Sequence, residues 1–215
     1  MKKILIFIFY LCLVFPMFSC RSEVGRKSNY NTTNQDSTNG KILIVYFSRA
    51  GENYDVGYIS VGNTAIMAGF IKDYTGGAIF EIVPVVPYPD GYEATKEVSQ
   101  QETAGNVRPA IKNPLENLDK YSVVFVGSPV WYGAPPMIMR TFYETYRDKL
   151  AGKTIVPFGT HEGSGVNSCT NLAKEYFPDA TLLEVLGIKG HEVNNSRESV
   201  EEWLQRIGIS KGEQK

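Results

Sequence analysis

"YSVVFVGSPVWYGAPP", residues 121–136, joins a nearly uninterrupted apolar run to two large aromatics, Trp131 and Tyr132, set among prolines and a glycine. A run rich in β-branched and aromatic residues suits a strand whose two faces are both covered. The two rings then stand where such a chain turns. Pro135 and Pro136 stiffen the exit into the next segment, so both rings are expected to be held out on a rigid loop.

The same kind of run recurs on either side. Strand-like "KILIVYF", "AIFEIVPV", "YSVVFVG", "KTIVPFG" and "TLLEVLGI" alternate with helix-period "NTAIMAGFIKDY", "GYEATKEVSQQE", "PPMIMRTFYETYRDKL", "VNSCTNLAKEYF" and "SRESVEEWLQRI". Five strands alternating with five helices predict an α/β domain with a parallel sheet covered on both faces. Pro136 suits the first turn of the third helix, and Asn195 with Glu198 resembles a capping box. Trp203 falls on the apolar face of the last helix and Cys169 on that of the fourth, so both are expected in the core. No internal repeat or second domain is visible.

In such a sheet, ligands sit beyond the carboxyl ends of the strands where strand order reverses. The loop after the first strand, "SRAGENYDVGYISVGNT", lacks both the G-x-G-x-x-G and the G-x-x-x-x-G-K-[ST] patterns. It offers the Ser48 hydroxyl, backbone at Gly51 and Gly62, and Asn63 and Thr64 opening a helix, a set that can hold a phosphate. Those residues equally fit an N-cap at Asn63 and a turn at Ser48. Trp131 and Tyr132, flanked by Gly133, suit a flat aromatic ligand, or else one ring packs sideways on a helix. The loop after the fourth strand, "GTHEGSGV", offers the Thr160 hydroxyl and glycine-rich backbone to the rim of a planar ring. Together the three loops describe a site for a nucleotide with a large planar ring. His161 taken alone reads as a solvated loop residue, and no spacing of His, Cys or acidic residues supports a metal site.

The N-terminus reads as an export signal, with Lys2 and Lys3 preceding the apolar "ILIFIFYLCLVF". Ser19–Cys20 resembles the lipobox of bacterial lipoproteins, with Phe18 bulkier than is usual there. That resemblance implies cleavage after residue 19 and acylation of Cys20; a plain secretory signal is the alternative. Residues 20–40 are polar and aperiodic, as expected of a lipidated, flexible tether, and the folded domain is expected over 41–210. Cys12 leaves with the signal and Cys20 carries lipid, so Cys169 is the one thiol left and no internal disulfide is expected. The formal net charge of −1, or −3 once Lys2 and Lys3 are removed, speaks against nucleic acid as a partner.

"YFSRAG", "GNT", "SPVWYG" and "THEGSG", in that order, resemble the flavodoxin family, and the likeness runs from about Lys41 to Ile209. The resemblance implies a flavodoxin-like three-layer sandwich, a five-stranded parallel sheet of order 2-1-3-4-5, and non-covalently bound FMN used for electron transfer. Carried over by position, Ser48, Gly51, Asn63 and Thr64 would hold the phosphate, with Arg49 as an extra contact. Pro129, Val130, Trp131, Tyr132 and Gly133 would flank the isoalloxazine, and Thr160, Gly163, Ser164 and Gly165 would bond its pyrimidine edge. The chain departs from the family in the insertion "ENYDVGYISV", residues 52–61, where Tyr54 or Tyr58 could cover part of the site. It departs also in being nearly neutral where carrier flavodoxins are strongly acidic.

The expected function is that of an FMN-binding electron-transfer protein tethered to a membrane outside the cytoplasm, on the periplasmic or outer-membrane side, with a redox partner protein. Two other readings stand beside it. One is an NAD(P)H-dependent quinone- or nitro-type flavin reductase with His161 as proton donor; the other is a cofactor-less scaffold that binds a partner through the insertion.

Overall fold

The computed structural model describes residues 41–212. The signal, Cys20 and the tether lie outside the described residues. The chain runs through β1 (Ile42–Tyr46), a hairpin of β2 (Gly51–Asn53) and β3 (Gly57–Ile59), α1 (Asn63–Thr75), β4 (Ala78–Glu81) and α2 (Tyr92–Ala104). It continues through β5 (Val123–Pro129), α3 (Met137–Leu150), β6 (Thr154–His161), α4 (Asn167–Tyr176), β7 (Thr181–Leu182), β8 (Leu186–Lys189) and α5 (Arg197–Arg206). Among the described residues no helix is long and apolar enough to cross a membrane.

The main sheet has the order β4-β1-β5-β6-β7, with β8 also on β6, and every pairing is parallel. Counted by the expected strands, this is 2-1-3-4-5. All five residues of β1 are buried, because the sheet is covered on both sides. Leu43, Val45 and Phe47 face α3 and α4, packing with Ile138, Phe142 and Leu172. Ile42, Ile44 and Tyr46 face α1 and α5, packing with Met67, Ile71 and Trp203. The alternation of a single strand thus feeds two cores, the three-layer arrangement expected from the sequence.

Three local expectations are corrected. The sheet has six strands where five were expected, because "TLLEVLGI" is broken. Ile155 pairs with Leu182 and Phe158 with Leu186, so three steps along β6 oppose four along its neighbour and one residue is extruded. The break is held by Trp203, whose Nε1 donates to the carbonyl of Glu184 at 3.0 Å. The capping box at Asn195 does not form: Asn195 ends a 3-10 turn, α5 follows Ser196, and the Ser196 hydroxyl turns back to the carbonyl of Val193. Pro136 stands one residue ahead of the first helical residue of α3 rather than inside its first turn.

Trp203 is fully buried, packs edge-on to Phe125 at 5.8 Å, and bridges α5 to the broken strand. Trp203→Phe removes the N–H donor and leaves a void. We expect a loss of about 2 kcal/mol in urea unfolding followed by circular dichroism, with an unchanged slope.

Candidate functional site

At the end of β1, Ser48 reaches the start of α1 and its hydroxyl accepts from the Ala65 N–H at 3.1 Å. Ser48 therefore supplies the cap of this helix from another element, while Gly62 occupies the cap position and Asn63 is already helical. Asn63 is thus not the N-cap. Gly62 is required by proximity, since a Cβ there would stand 2.2 Å from Ser48 Oγ. The leading N–H groups of α1, at Asn63 and Thr64, have no acceptor within the helix and carry the positive end of its dipole. Thr64 is tied to the neighbouring strand through a buried hydroxyl pair with Thr160 at 2.8 Å.

Arg49 is a clamp. Its guanidinium donates to the carbonyls of Ala50 (2.8 Å), Pro89 (3.1 Å), Asp90 (3.1 Å) and Glu52, joining the end of β1, the hairpin and the segment before α2. Burial lowers its pKa against the opposing pull of Asp90 and Glu52. Its buried Nε has no hydrogen-bond partner. The insertion is the hairpin β2–β3, and Glu52 ties it to α2 by accepting from the Tyr92 N–H at 3.0 Å. At the turn, Tyr54 is 61% exposed with its ring 5.8 Å from that of Tyr92.

After β5, Trp131 and Ala134 exchange backbone hydrogen bonds of 2.8 and 3.1 Å, closing a two-residue turn with Tyr132 at φ 53° and Gly133 at φ 78°. The two rings have different fates. Tyr132 is 58% exposed, whereas Trp131 is half-buried and edge-on to Phe47 (5.7 Å) and Tyr88 (5.1 Å). The expectation of two rings held out together is corrected for Trp131, because edge-to-face contact with two aromatics outweighs leaving the indole in water. Tyr88 in turn donates to Glu102 at 2.9 Å; burial, then the carboxylate, push its phenol far up, so it stays neutral.

Thr160 and His161 belong to β6 rather than to the loop that follows. The Gly163 N–H donates to His161 Nδ1 at 3.0 Å, so it is engaged and not free for a ring edge. In the neutral imidazole this places the proton on Nε2. Burial lowers the His161 pKa, with Glu162 opposing. Cys169 lies under this strand, and burial pushes its thiol up to about 11, which makes it an inert core residue.

These elements surround one cleft of about 310 Å³ at the carboxyl ends of β1, β5 and β6. From the first loop Arg49 and Asn63 line it, while Ser48, Gly51 and Thr64 are not among its lining residues. Pro129, Val130, Trp131, Tyr132 and Gly133 all line it. From β6 and its loop it takes Thr160, His161, Glu162 and Ser164, but not Gly163 or Gly165. The fourth wall is α2, through Tyr92, Thr95, Lys96 and Ser99, which the sequence reading did not assign. Their i, i+3, i+4, i+7 spacing marks a polar stripe that could have been noticed. Of the two insertion tyrosines, Tyr54 lines the cleft; Tyr58 lines a neighbouring groove.

A doubly wound α/β sheet with its cleft at the reversal of strand order is the class that fold and site define. The family model described as flavodoxin matches residues 41–207, and the chain belongs to the flavodoxin family. A protein from Bacteroides eggerthii described provisionally as a flavoprotein is 31% identical, with 79% of this chain and 99% of that one covered and a TM-score of 0.63. A similarly described protein from Bacteroides uniformis is 26% identical over 77% and 98% of the two chains, with a TM-score of 0.60. A flavoprotein from Lactobacillus acidophilus, solved in complex with FMN, is 21% identical over 73% and 97%, with a TM-score of 0.56. No curated protein matches the chain.

Tyr132 is a bulky side chain at positive φ, a conformation that disfavours it by roughly 1 kcal/mol or more. Asparagine tolerates that conformation. Tyr132→Asn should therefore stabilise the flavin-free protein by about 1 kcal/mol, read from its urea midpoint.

For His161 the folded state disfavours the proton, so its pKa lies below the ordinary 6.5. As pH falls through that value the unfolded chain binds more protons than the folded one, and the contribution of His161 to stability declines. NMR titration of the ring should show the low pKa, and His161→Gln should lack that part of the pH slope.

Proposed function

We propose that the chain binds FMN in this cleft and works as an electron-transfer protein, tethered outside the cytoplasm by lipid on Cys20. The observation that carries the reading is the convergence of the three loops on one cleft at the strand-order reversal. Support also comes from the family and from the Lactobacillus acidophilus protein, which holds FMN.

The residues present fit that cofactor. The phosphate would take the N–H groups of Asn63 and Thr64 and the Ser48 hydroxyl, and the buried, unpartnered Nε of Arg49 offers one more donor. The ring would lie against Trp131 and Tyr132, with Thr160 and Ser164 toward its polar edge. FMN supplies the electron chemistry; the chain supplies shape, exclusion of water and local charge. Trp131 is suited to this because Phe47 and Tyr88 fix its plane before any ligand arrives. Lys96 is paired with Glu93 at 2.9 Å, and most of the Arg49 donors are engaged by carbonyls. Little free positive charge therefore faces the ring.

A second reading, a quinone- or nitro-type reductase using NAD(P)H, is favoured by one observation. His161 lines the cleft with its Nδ1 engaged by the Gly163 N–H, so the neutral ring presents an Nε2–H donor. A redox partner protein and a site on the periplasmic or outer-membrane side belong to the first reading. The lipobox resemblance and polar tether support them.

The test is titration of the flavin-stripped full chain with FMN, read by flavin fluorescence, followed by turnover with NADPH and a quinone. We expect stoichiometric quenching with a Kd of roughly micromolar or tighter, weakened about tenfold or more in Trp131→Ala, and no steady turnover. Cell fractionation should move Cys20→Ala from the membrane to the soluble fraction. Absence of FMN binding would leave the scaffold reading, and sustained NADPH turnover would replace the carrier by the reductase.

A further inference from the structure

At the edge of the cleft, which Glu162 itself lines, the fold brings together three side chains from well-separated parts of the sequence. Asp55 is at the turn of the inserted hairpin, Glu162 follows β6, and His191 lies in the 3-10 turn after β8. One ligand-type atom from each lies within 4.8 Å of the other two. No sequence spacing announces this group, because its members meet only through the sheet topology.

Glu162 is the centre of the cluster. Its side chain is only 12% exposed, and it is oriented twice by His191, whose N–H donates to Oε1 at 3.0 Å and whose Nδ1 lies 2.7 Å from Oε2. Gly190 makes room for it, since a Cβ at that position would stand 2.6 Å from Glu162 Oε1 and 2.2 Å from Asn63 Nδ2. On the far side of the imidazole, Nε2 lies 3.5 Å from Glu192 Oε1, a carboxylate placed as those behind metal-bound histidines are. Asp55 sits in the left-handed region at φ 56°, at the turn of the hairpin.

Charge supplies an independent argument. Among the described residues neither Asp55 nor Glu162 is ion-paired with a lysine or arginine; the one partner of Glu162 able to carry positive charge is His191, with Nδ1 2.7 Å from Oε2, and Lys189 is engaged at 3.7 Å with Glu192. Two carboxylates therefore stand beside the α1 N-terminus, where under the proposed function a phosphate binds. Asn63 lines both that cleft and the groove containing Asp55 and His191. Like charges so close oppose each other unless a cation lies between them.

We propose that Asp55, Glu162 and His191 form a binding site for a divalent first-row metal ion of the zinc class, which pins the inserted hairpin to the end of β6 beside the α1 N-terminus. One imidazole and two carboxylates suit such an ion better than magnesium or calcium, which favour oxygen alone. Ligand distances of about 2.1 Å in a tetrahedral site put ligand atoms roughly 3.4 Å apart. The 2.7 Å contact between His191 Nδ1 and Glu162 Oε2 would open to that spacing as the ion replaces the hydrogen bond, and the exposed Asp55 carboxylate would turn in from within 4.8 Å. Three protein ligands leave a position for water. The charge argument rests on the FMN reading; the geometry does not.

The experiment is calorimetric titration of the EDTA-treated, flavin-free full chain with zinc sulfate, alongside Asp55→Asn and His191→Gln. FMN binding is measured separately in EDTA, so that failure of the metal site and failure of the flavin reading are distinguished. We expect one zinc per chain, with affinity lowered roughly tenfold or more in each variant. Asp55→Asn changes one atom on an exposed turn, so its loss of zinc cannot be put down to unfolding. Wild-type chain that takes up no zinc at 100 µM, roughly the weak limit for a useful site, overturns the proposal. So does zinc binding that is equally tight in both variants.

Discussion

The structure depends on β1 being paired on both edges, with β4 on one side and β5 on the other, each parallel and in register along its length. The chain leaves β1 for α1 on one face of the sheet and later leaves β5 for α3 on the other. Side chains cannot close the crevice that opens between those departures, because the flanking helices diverge. Every feature of the site lines or braces that crevice. The Ser48 hydroxyl caps α1 from the end of β1, and the Thr64–Thr160 pair fastens the same helix to β6. The N–H groups that open α1 thus face the crevice from a fixed position.

The inserted hairpin shows how an addition to this plan is kept in place. Two short antiparallel strands are marginal on their own in water. Here Arg49 bonds the carbonyl of Glu52 and those of Pro89 and Asp90, and Glu52 satisfies the N–H of Tyr92 at the start of α2. The hairpin therefore couples the loop after β1 to the helix that forms the fourth wall. It also turns a loop into a surface carrying Tyr54 toward the cleft and Asp55 toward Glu162 and His191.

What the sequence disclosed follows from which constraints are local. Strands buried on both faces write themselves as apolar runs, so all five strand regions were legible, as were Trp203 and Cys169 in the core; the sheet order came only with the resemblance to the flavodoxin family. Ser48 was ambiguous for a physical reason: one hydroxyl can accept from Ala65 and still donate to a ligand, so cap and binding residue are not exclusive. The break at Glu184 was hidden because it depends on a donor from Trp203, some twenty residues on. Asn195 misled because Ser196 and the preceding 3-10 turn take over the entry to α5. Trp131 misled because its partners, Phe47 and Tyr88, come from two other segments of the chain. The α2 wall went unread because a polar stripe on a helix ordinarily faces water.

The charges around the cleft argue for a direction in the chemistry. Arg49 and Lys96 are its cations, yet both are engaged, by backbone carbonyls and by Glu93. His161 is held toward its neutral form, and Glu162 adds a poorly exposed negative charge at the rim. Under the FMN reading, such surroundings disfavour a further negative charge on the ring, which makes the reduced cofactor a better electron donor. A cation between Asp55 and Glu162 would act the other way by cancelling part of that field. The inserted hairpin would then serve not only to cover the site but to set how readily it gives up electrons, through the charge that Asp55 brings beside Glu162.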